Sequence, residues 1–223
     1  MLAVTFGVFF LSRIVQKKTG WVILNPILLT IAVLILFLKF AGISYETYNE
    51  GGQLIEFWLK PAVVALGVPL YLQLEMIKKQ LLPIIISQLA GCLVGLVTVV
   101  VIAKLLGATP DIICSLAPKS VTTPIAMEVS KATGGIPSLT AAGTFVVVGL
   151  FGAVFGFKVL RVGHVGSPIA QGLSMGTATH AVGTSTAMEI SGKYGAYASL
   201  GLTLNGIMTA VFTPTILKLL GVI

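Results

Sequence analysis

The sequence predicts an all-α polytopic membrane protein with about six transmembrane helices and two re-entrant helical hairpins in an inverted repeat. Composition is the first reason: 56% of the 223 residues are hydrophobic and 9% are charged, whereas a soluble domain has about a quarter charged residues. The second reason is a pair of polar stretches, broken by proline or glycine, among apolar runs of membrane length. The third is that residues on either side of these stretches repeat as well.

Basic residues in this chain set membrane orientation. The formal net charge is +7, but Lys and Arg are scattered singly at the ends of apolar runs, where they decide which loops stay in the cytoplasm. No basic patch with interleaved aromatic residues is present, so nucleic acid is not an expected partner. Arg13, Lys17 and Lys18 follow the first apolar run. This order favours a retained first helix that starts outside over a cleaved signal peptide.

Four spans are expected before the first polar break, at residues 1–15, 21–41, 57–73 and 81–106. About 20 residues cross a hydrocarbon core of about 30 Å, because a helix rises about 1.5 Å per residue. The first span is shorter than this length. Residues 44–56 contain three carboxylates and a Gly-Gly pair. We interpret them as an extramembrane loop.

Three features of these spans carry expectations of their own. Pro69 predicts a kink near Gly67, because an interior proline removes a helix hydrogen bond, and the kink either shapes the site or only packs. Gly91 and Gly95 form a small-x-x-x-small pair, which fits either internal packing or a dimer face. The two isolated cysteines indicate neither a disulfide framework nor a metal site, so no cofactor is expected.

The first polar break, residues 110–134, is too polar to be an ordinary span. Its centre reads APKSVTTP over residues 117–124. In hydrocarbon such a break is tolerated only where protein surrounds it or where it lines a wet cavity. A second break follows 61 residues later, with His180 at the position of Lys119 and AMEIS (187–191) at that of AMEVS (126–130). Paired interrupted segments are the sequence pattern of a transporter site.

Hairpins that enter and leave on one side fit these breaks better than complete crossings. An arm of about ten residues reaches about 15 Å, the depth of the bilayer midplane. With hairpins the fourteen Lys and Arg divide eight to five with Lys119 at a tip, whereas full crossings give seven to six. The positive-inside rule prefers the more uneven division. Crossing helices at residues 137–160 and 194–220 would then follow the hairpins, the tips would meet from opposite faces, and both termini would lie outside.

The hairpin tips have the chemistry of an anion site. Both returning arms are predicted to begin at a capping hydroxyl, Thr123 before Pro124 in the first and Thr184 in the second. Their amides and helix dipoles would point at mid-membrane and favour an anion. The expected substrate is a small carboxylate with a second polar group for the hydroxyls. The predicted substrate-binding residues are Lys119, Ser120, Thr122, Thr123, Pro124, Gly176, Thr177, His180, Gly183, Thr184 and Asn205.

Simpler roles exist for several of these residues. Lys119 could extend to the membrane interface, and Asn205 could form a helix-to-helix hydrogen bond. His180, Glu128 and Glu189 are candidates for proton coupling, but the histidine could be neutral and the two glutamates could face water. No hydrolase, metalloprotease or phosphate-loop motif is present. The protein is therefore not expected to be an enzyme.

Residues 118–126 (PKSVTTPIA), 176–184 (GTATHAVGT) and 61–66 (PAVVAL) closely resemble the LrgB/CidB family, and the likeness covers nearly the whole chain. The resemblance implies a multi-pass protein of the bacterial inner membrane. One function that it implies is that of a holin-like or antiholin-like protein, which modulates murein hydrolase activity and cell lysis with a small LrgA/CidA-type partner. The other function that it implies is transport of small carboxylates. Plastid members of the family exchange glycolate and glycerate, and pyruvate transport is proposed for bacterial members.

The function we expect is elevator-like alternating access for small carboxylates such as glycolate, glycerate, lactate or pyruvate, with proton coupling as an added feature. Residues 1–107 would be the scaffold and carry a homodimer contact. Residues 108–223 would be the transport unit, with repeats at 108–163 and 164–223. Regulation of cell lysis is the alternative function.

Overall fold

A computed structural model describes residues 1–19, 24, 26–65, 68, 71 and 74–223. These residues form helices and connecting turns, with no strand among them. The chain divides into two compact units, Met1–Gly67 and Val68–Ile223. The all-α prediction is confirmed for the described residues, and the predicted kink near Gly67 lies outside them.

The first unit contains helices α1 (Leu2–Thr19), α2 (Pro26–Ala41) and α3 (Tyr45–Ala65). Thr30 Oγ1 in α2 donates to Ser12 Oγ in α1 at 3.3 Å, and the hydroxyls of Thr5 and Tyr48 lie 3.1 Å apart, joining α1 to α3.

The predicted loop at residues 44–56 is wrong, because α3 begins at Tyr45. Ser44 Oγ accepts the amide of Thr47 at 3.3 Å, which satisfies one of the free amides at the helix start. Gly51 lies in this helix beside the start of α1, where a Cβ would be at the ordinary contact distance of 3.4 Å from that of Met1. Polar composition alone therefore misidentified a solvated helix as a loop.

The second unit has eight α-helices and one π-helical segment among its described residues. They are α4 (Leu74–Lys79), α5 (Leu81–Leu105), α6 (Pro110–Leu116), α7 (Thr123–Ala132), α8 (Pro137–Ala142), the π-helical segment (Gly143–Leu150), α9 (Phe151–Val162), α10 (Pro168–Ile190) and α11 (Gly192–Leu219).

Helices α5 and α11 form the frame of this unit and run parallel. Ile84 packs with Tyr197 near the start of both helices, and Lys104 Nζ donates to the Leu220 carbonyl at 2.6 Å near their ends. In the described part of the chain, these two helices are long and apolar enough to cross a membrane. At about 1.5 Å per residue, each exceeds the hydrocarbon thickness of about 30 Å. The expected spans at 81–106 and 194–220 agree with them to within two residues.

The first break separates α6 from α7 and folds the chain back. Ile113 of α6 packs with Leu217 at the end of α11, so α6 enters from that end of the frame. After α7 the amide of Ile136 donates to Ser115 Oγ in α6 at 2.7 Å, which brings the chain back beside α6. The N-cap of α7 is Thr122 and not the predicted Thr123, which is the first residue of the helix. The Thr122 side chain makes no capping hydrogen bond.

The second break is the single residue His180 within α10, where φ is 42° and ψ is −144°. Before it, a Cβ on Gly172 would lie 2.8 Å from the Tyr194 carbonyl, and a Cβ on Gly176 would overlap the Ala198 carbonyl. Residues 168–179 therefore run parallel to α11. A straight α10 would run antiparallel to α11, because only Ser191 separates them. The chain must consequently turn back at His180.

Two further expectations in this unit need adjustment. The second returning arm does not start at a capping Thr184: it starts after His180, and Thr184 Oγ1 donates to the His180 carbonyl at 2.9 Å. The expected helix at 137–160 is a continuous helical run that ends at Val162, because α8 and α9 join the π-helical segment through residues in helical conformation. A π-helix is often found at functional sites.

Candidate functional site

Asn205 of α11 links the two breaks. Its Nδ2 donates to the Ser120 carbonyl at 3.1 Å and to the Thr177 carbonyl at 2.9 Å. Ser120 belongs to the first break, and Thr177 lies one turn before the second. Because the two hairpins enter from opposite ends of the frame, their tips meet at the middle of α11. The bond to Thr177 joins two helices, as the simpler expectation for Asn205 requires, and the bond to Ser120 joins α11 to the first break itself.

A cavity of about 670 Å³ lies between α5 and the two tips. It extends from the exposed Ser167, at the start of α10, to Lys119 and Ser120 in the first break. Helix α5 forms one wall through residues that recur every three or four positions, from Ile84 to Leu96. Four predicted site residues line this cavity: Lys119, Ser120, Thr177 and Asn205.

Lys119 gives the cavity its charge. It is the only charged side chain among the described residues that line it, and its Nζ donates to Ser120 Oγ at 3.2 Å. One salt bridge occurs among the described residues, between Lys78 and Glu75, so no described carboxylate pairs with Lys119. A partly buried ammonium without a counter-ion attracts an anion, since charges out of water are expensive unless paired.

Thr177 places a hydroxyl opposite α5. Thr177 Oγ1 donates to Gln88 Oε1 at 2.5 Å and also lies 2.7 Å from the Leu173 carbonyl. Gln88 is 2% exposed and lines the cavity. The second hairpin is therefore tied both to α5, through Gln88, and to α11, through Asn205.

The glycines predicted for the pocket serve helix packing in this structure. A Cβ on Gly176 would overlap the Ala198 carbonyl, and one on Gly183 would overlap Thr179 Oγ1. Neither glycine lines the described cavity. Their lack of a side chain lets the arms of the second hairpin approach each other and α11.

His180 and Thr184 face another part of the unit. His180 is 2% exposed, and its Nε2 lies 2.9 Å from the Thr144 carbonyl in the π-helical segment. A Cβ on Gly149 of that segment would lie 2.8 Å from the same nitrogen. The expectation that His180 lies beside Lys119 in the cavity is therefore not met. The simpler expectation, that His180 is a hydrogen-bonded histidine, agrees with its contact to the Thr144 carbonyl.

The remaining predicted residues flank the first break or face outward. Thr122, Thr123 and Pro124 start α7 and do not appear in the lining of the described cavity. Glu128 and Glu189 are exposed on their returning arms, which agrees with the expectation that they face outward.

Sequence reasoning missed the contribution of α5, which was predicted to be scaffold. Gln88, Ser87 and Cys92 line the cavity from this helix, together with Gly91 and Gly95. A Cβ on Gly91 would lie at the ordinary contact distance of 3.4 Å from Thr177, and one on Gly95 would meet no atom within 4 Å, so internal packing requires neither glycine and the choice between packing and a dimer face stays a prediction. A glutamine in a highly apolar span is itself a signal of function. The predicted division at residue 107 concerns function and stays a prediction, but α5 lies in the same compact unit as both breaks.

Comparison with known proteins gives a consistent result. A model described as the LrgB-like family matches residues 5–219. Holin-like protein CidB of Staphylococcus epidermidis is 35% identical over 98% of this chain and 95% of its own length. Antiholin-like protein LrgB of Bacillus mycoides is 34% identical over 92% of this chain and 89% of its own length. YwbG of Bacillus subtilis is 38% identical over 97% of this chain and 96% of its own length. No solved structure matches the chain.

These similarities confirm the resemblance found in the two break motifs. Together with the apolar helices α5 and α11, they make the chain a membrane protein. The family match covers both breaks, the frame helices and most of the first unit, and no relative named above is matched over less than 89% of its length. The chain belongs to the LrgB-like family.

Proposed function

We propose that this protein carries a small carboxylate across the membrane by alternating access, with Lys119 binding the carboxylate group. The observation that supports this most is the position of Lys119: an ammonium with no carboxylate partner among the described residues, at the inner end of a cavity lined by hydroxyls and amides. Glycolate, glycerate, lactate and pyruvate combine one carboxylate with a second oxygen. A carboxylate pairs with a lysine through charge-assisted hydrogen bonds.

The placement of basic residues supports an orientation for the cavity. Lys78 and Lys79 directly precede α5, and Arg161 lies in the last turn of α9 before Ser167. These residues adjoin the helix starts from which the cavity extends. Because cytoplasmic loops are enriched in Lys and Arg, we propose that the cavity opens toward the cytoplasm and that the N-terminus is outside.

The opposed hairpins support an inverted repeat as the moving part. Each hairpin enters from a different end of α11, and both are held by Asn205. We propose six spans in a multi-pass protein of the bacterial inner membrane, an elevator-like unit containing both hairpins, a homodimer contact on the first unit and an LrgA/CidA-type partner. An elevator would expose Lys119 to each side in turn while the hairpins remain packed together.

The names of the relatives favour a second function. CidB of Staphylococcus epidermidis is named holin-like and LrgB of Bacillus mycoides antiholin-like. In this function the protein would modulate murein hydrolase activity and cell lysis. A membrane lesion passes unrelated small solutes without saturation, whereas a carrier saturates with its substrate. The two functions therefore differ in a measurable property.

Uptake of labelled glycolate into proteoliposomes tests the proposal. The purified full chain is reconstituted with a trapped fluorescent dye, and unlabelled pyruvate, lactate and glycerate serve as competitors. Saturable uptake with the dye retained supports a carrier, and loss of the dye supports the lesion. Absence of uptake with every competitor loaded inside would contradict carboxylate transport. Liposomes containing Lys119→Gln provide the matched control, because this variant removes only the ammonium.

A further inference from the structure

Gln88 lies in the cavity wall on α5, opposite the tip of the second hairpin. We propose that Gln88 is the specificity residue of this site: its amide N–H groups bind the oxygen at C2 of a carboxylate that Lys119 holds. This inference rests on the proposed carboxylate site. It assigns discrimination between substrates to a helix that contains neither break.

A continuous set of hydrogen bonds fixes Gln88 relative to Lys119. Thr177 Oγ1 donates to Gln88 Oε1 at 2.5 Å, and the Thr177 carbonyl accepts Asn205 Nδ2 at 2.9 Å. The same nitrogen donates to the carbonyl of Ser120 at 3.1 Å, and Ser120 is the residue after Lys119. The amide and the ammonium thus line one cavity, and three hydrogen bonds connect the Gln88 side chain to the main chain next to Lys119.

The nitrogen of the Gln88 side-chain amide, Nε2, is the atom that can bind a ligand. Oε1 accepts from Thr177, and the described residues provide no hydrogen-bond partner for Nε2. The buried polar atoms without a partner in the described part of the chain are Thr144 Oγ1, Tyr197 OH and Ser199 Oγ. Gln88 Nε2 also has no partner but is not one of these fully buried atoms. Part of its surface is therefore accessible, and Gln88 lines the cavity. An amide nitrogen has two donor hydrogens and no acceptor capacity.

Two donors that line the same cavity as a cation select an oxygen-bearing substrate. A hydroxyl oxygen and a keto oxygen at C2 both accept a hydrogen bond, whereas the methylene at C2 of propionate cannot. A site that uses a hydrogen bond to recognise its substrate rejects an analogue without that group, because the site's own polar atoms lose their partner. Lactate and propionate share the carboxylate and the three-carbon chain, so their comparison isolates the C2 oxygen.

A purely structural role makes a different prediction. If Gln88 served only to tie α5 to Thr177, its replacement would lower thermal stability and weaken lactate and propionate equally. Specificity requires instead that the ratio of the two affinities change. Gln88→Met removes both amide functions at similar volume and suits the buried site. Gln53→Met is the matched control, because Gln53 is an exposed residue of α3 and is not among the residues that line the cavity.

The test is binding of lactate and of propionate to the full chain in detergent micelles, measured by ligand-induced thermal stabilisation and by calorimetry. We expect the wild type and Gln53→Met to bind lactate about tenfold more tightly than propionate, and Gln88→Met to bind both within about twofold. A wild type without this preference, or a preference that survives in Gln88→Met, overturns the inference while leaving carboxylate binding intact. Failure of the wild type to bind either ligand overturns the proposed function, and this inference with it.

Discussion

The two breaks match in sequence but differ in structure. Lys119 and His180 occupy equivalent positions at a spacing of 61 residues, yet Lys119 lines the cavity and His180 contacts the π-helical segment. The first break spans the six residues between α6 and α7, and the second is a single residue. Equivalent sequence positions therefore turn the chain back in both hairpins, but the side chains at these positions have different surroundings, because the two turns differ in length.

The two breaks contribute different side chains to the cavity. A turn of several residues leaves room for the Lys119 and Ser120 side chains to face one cavity. The one-residue turn places His180 at positive φ, which is uncommon for any residue except glycine, and buries its ring. The second hairpin reaches the cavity one turn earlier, through Thr177.

Replacing Lys119 by Gln should weaken carboxylate binding by roughly 30- to 150-fold, because a hydrogen bond to a charged group is worth up to about 3 kcal/mol. Calorimetric titration with glycolate measures this change. Lys131→Gln, at the exposed end of α7, serves as the control and should bind normally. Unaltered affinity in Lys119→Gln would place this lysine outside the site.

Replacing Gly176 by Ala should lower the free energy of unfolding by about 1–3 kcal/mol, because the added methyl overlaps the Ala198 carbonyl. At the equivalent position the first hairpin has Ser115, whose hydroxyl accepts the Ile136 amide, so this position packs differently in the two hairpins. Thermal unfolding in detergent is the measurement. Gly166→Ala, where a Cβ meets open space, should leave the midpoint unchanged, and equal midpoints in the two variants would contradict the packing role.

Replacing Asn205 by Leu should cost about 1–2 kcal/mol of stability, because the carbonyls of Ser120 and Thr177 lose their shared donor. Ile207→Leu, at an exposed position of the same helix, is the comparison variant. Denaturant titration followed by far-ultraviolet circular dichroism measures the change. An Asn205→Leu protein as stable as Ile207→Leu would mean that Asn205 does not hold the tips together.

Replacing His180 by Gln should change glycolate affinity by less than about twofold, because the ring contacts Thr144 rather than the cavity. If His180 couples transport to protons, as histidine can near neutral pH, the variant should also lose its response to a pH gradient in proteoliposomes. His164→Gln, which changes the other histidine of the chain, should keep that response. Retention of the response in His180→Gln would exclude coupling through this residue.

The smallest effects are expected at Glu128 and Glu189, which match each other at the same 61-residue spacing and are both exposed. Glu128→Gln and Glu189→Gln should transport glycolate at rates within about twofold of wild type, both with and without a pH gradient. Loss of the pH response in either variant would make that carboxylate, rather than His180, the proton carrier.

Local sequence determined which residues break the helices. Pro118 and Pro124 mark the first break, and the apolar run at 81–106 has the length of a span, so these features could be predicted from residue type. A proline alone does not end a helix, because Pro214 lies inside α11. The N-cap is Thr122, one residue before the predicted Thr123. The polar start of α3 was mistaken for a loop, because polarity reports exposure and not backbone conformation.

By itself, the sequence determined that this is a helical LrgB-like membrane protein with two polar breaks and a lysine at the first. Only the tertiary structure decided that Lys119, Thr177 and Asn205 share one cavity, that Gln88 completes its wall, and that His180 does not face it. The physical reason is that composition and spacing govern where a helix starts and stops. The side chains that meet across α5, α10 and α11 depend on the rotation of each helix, which packing against its neighbours fixes.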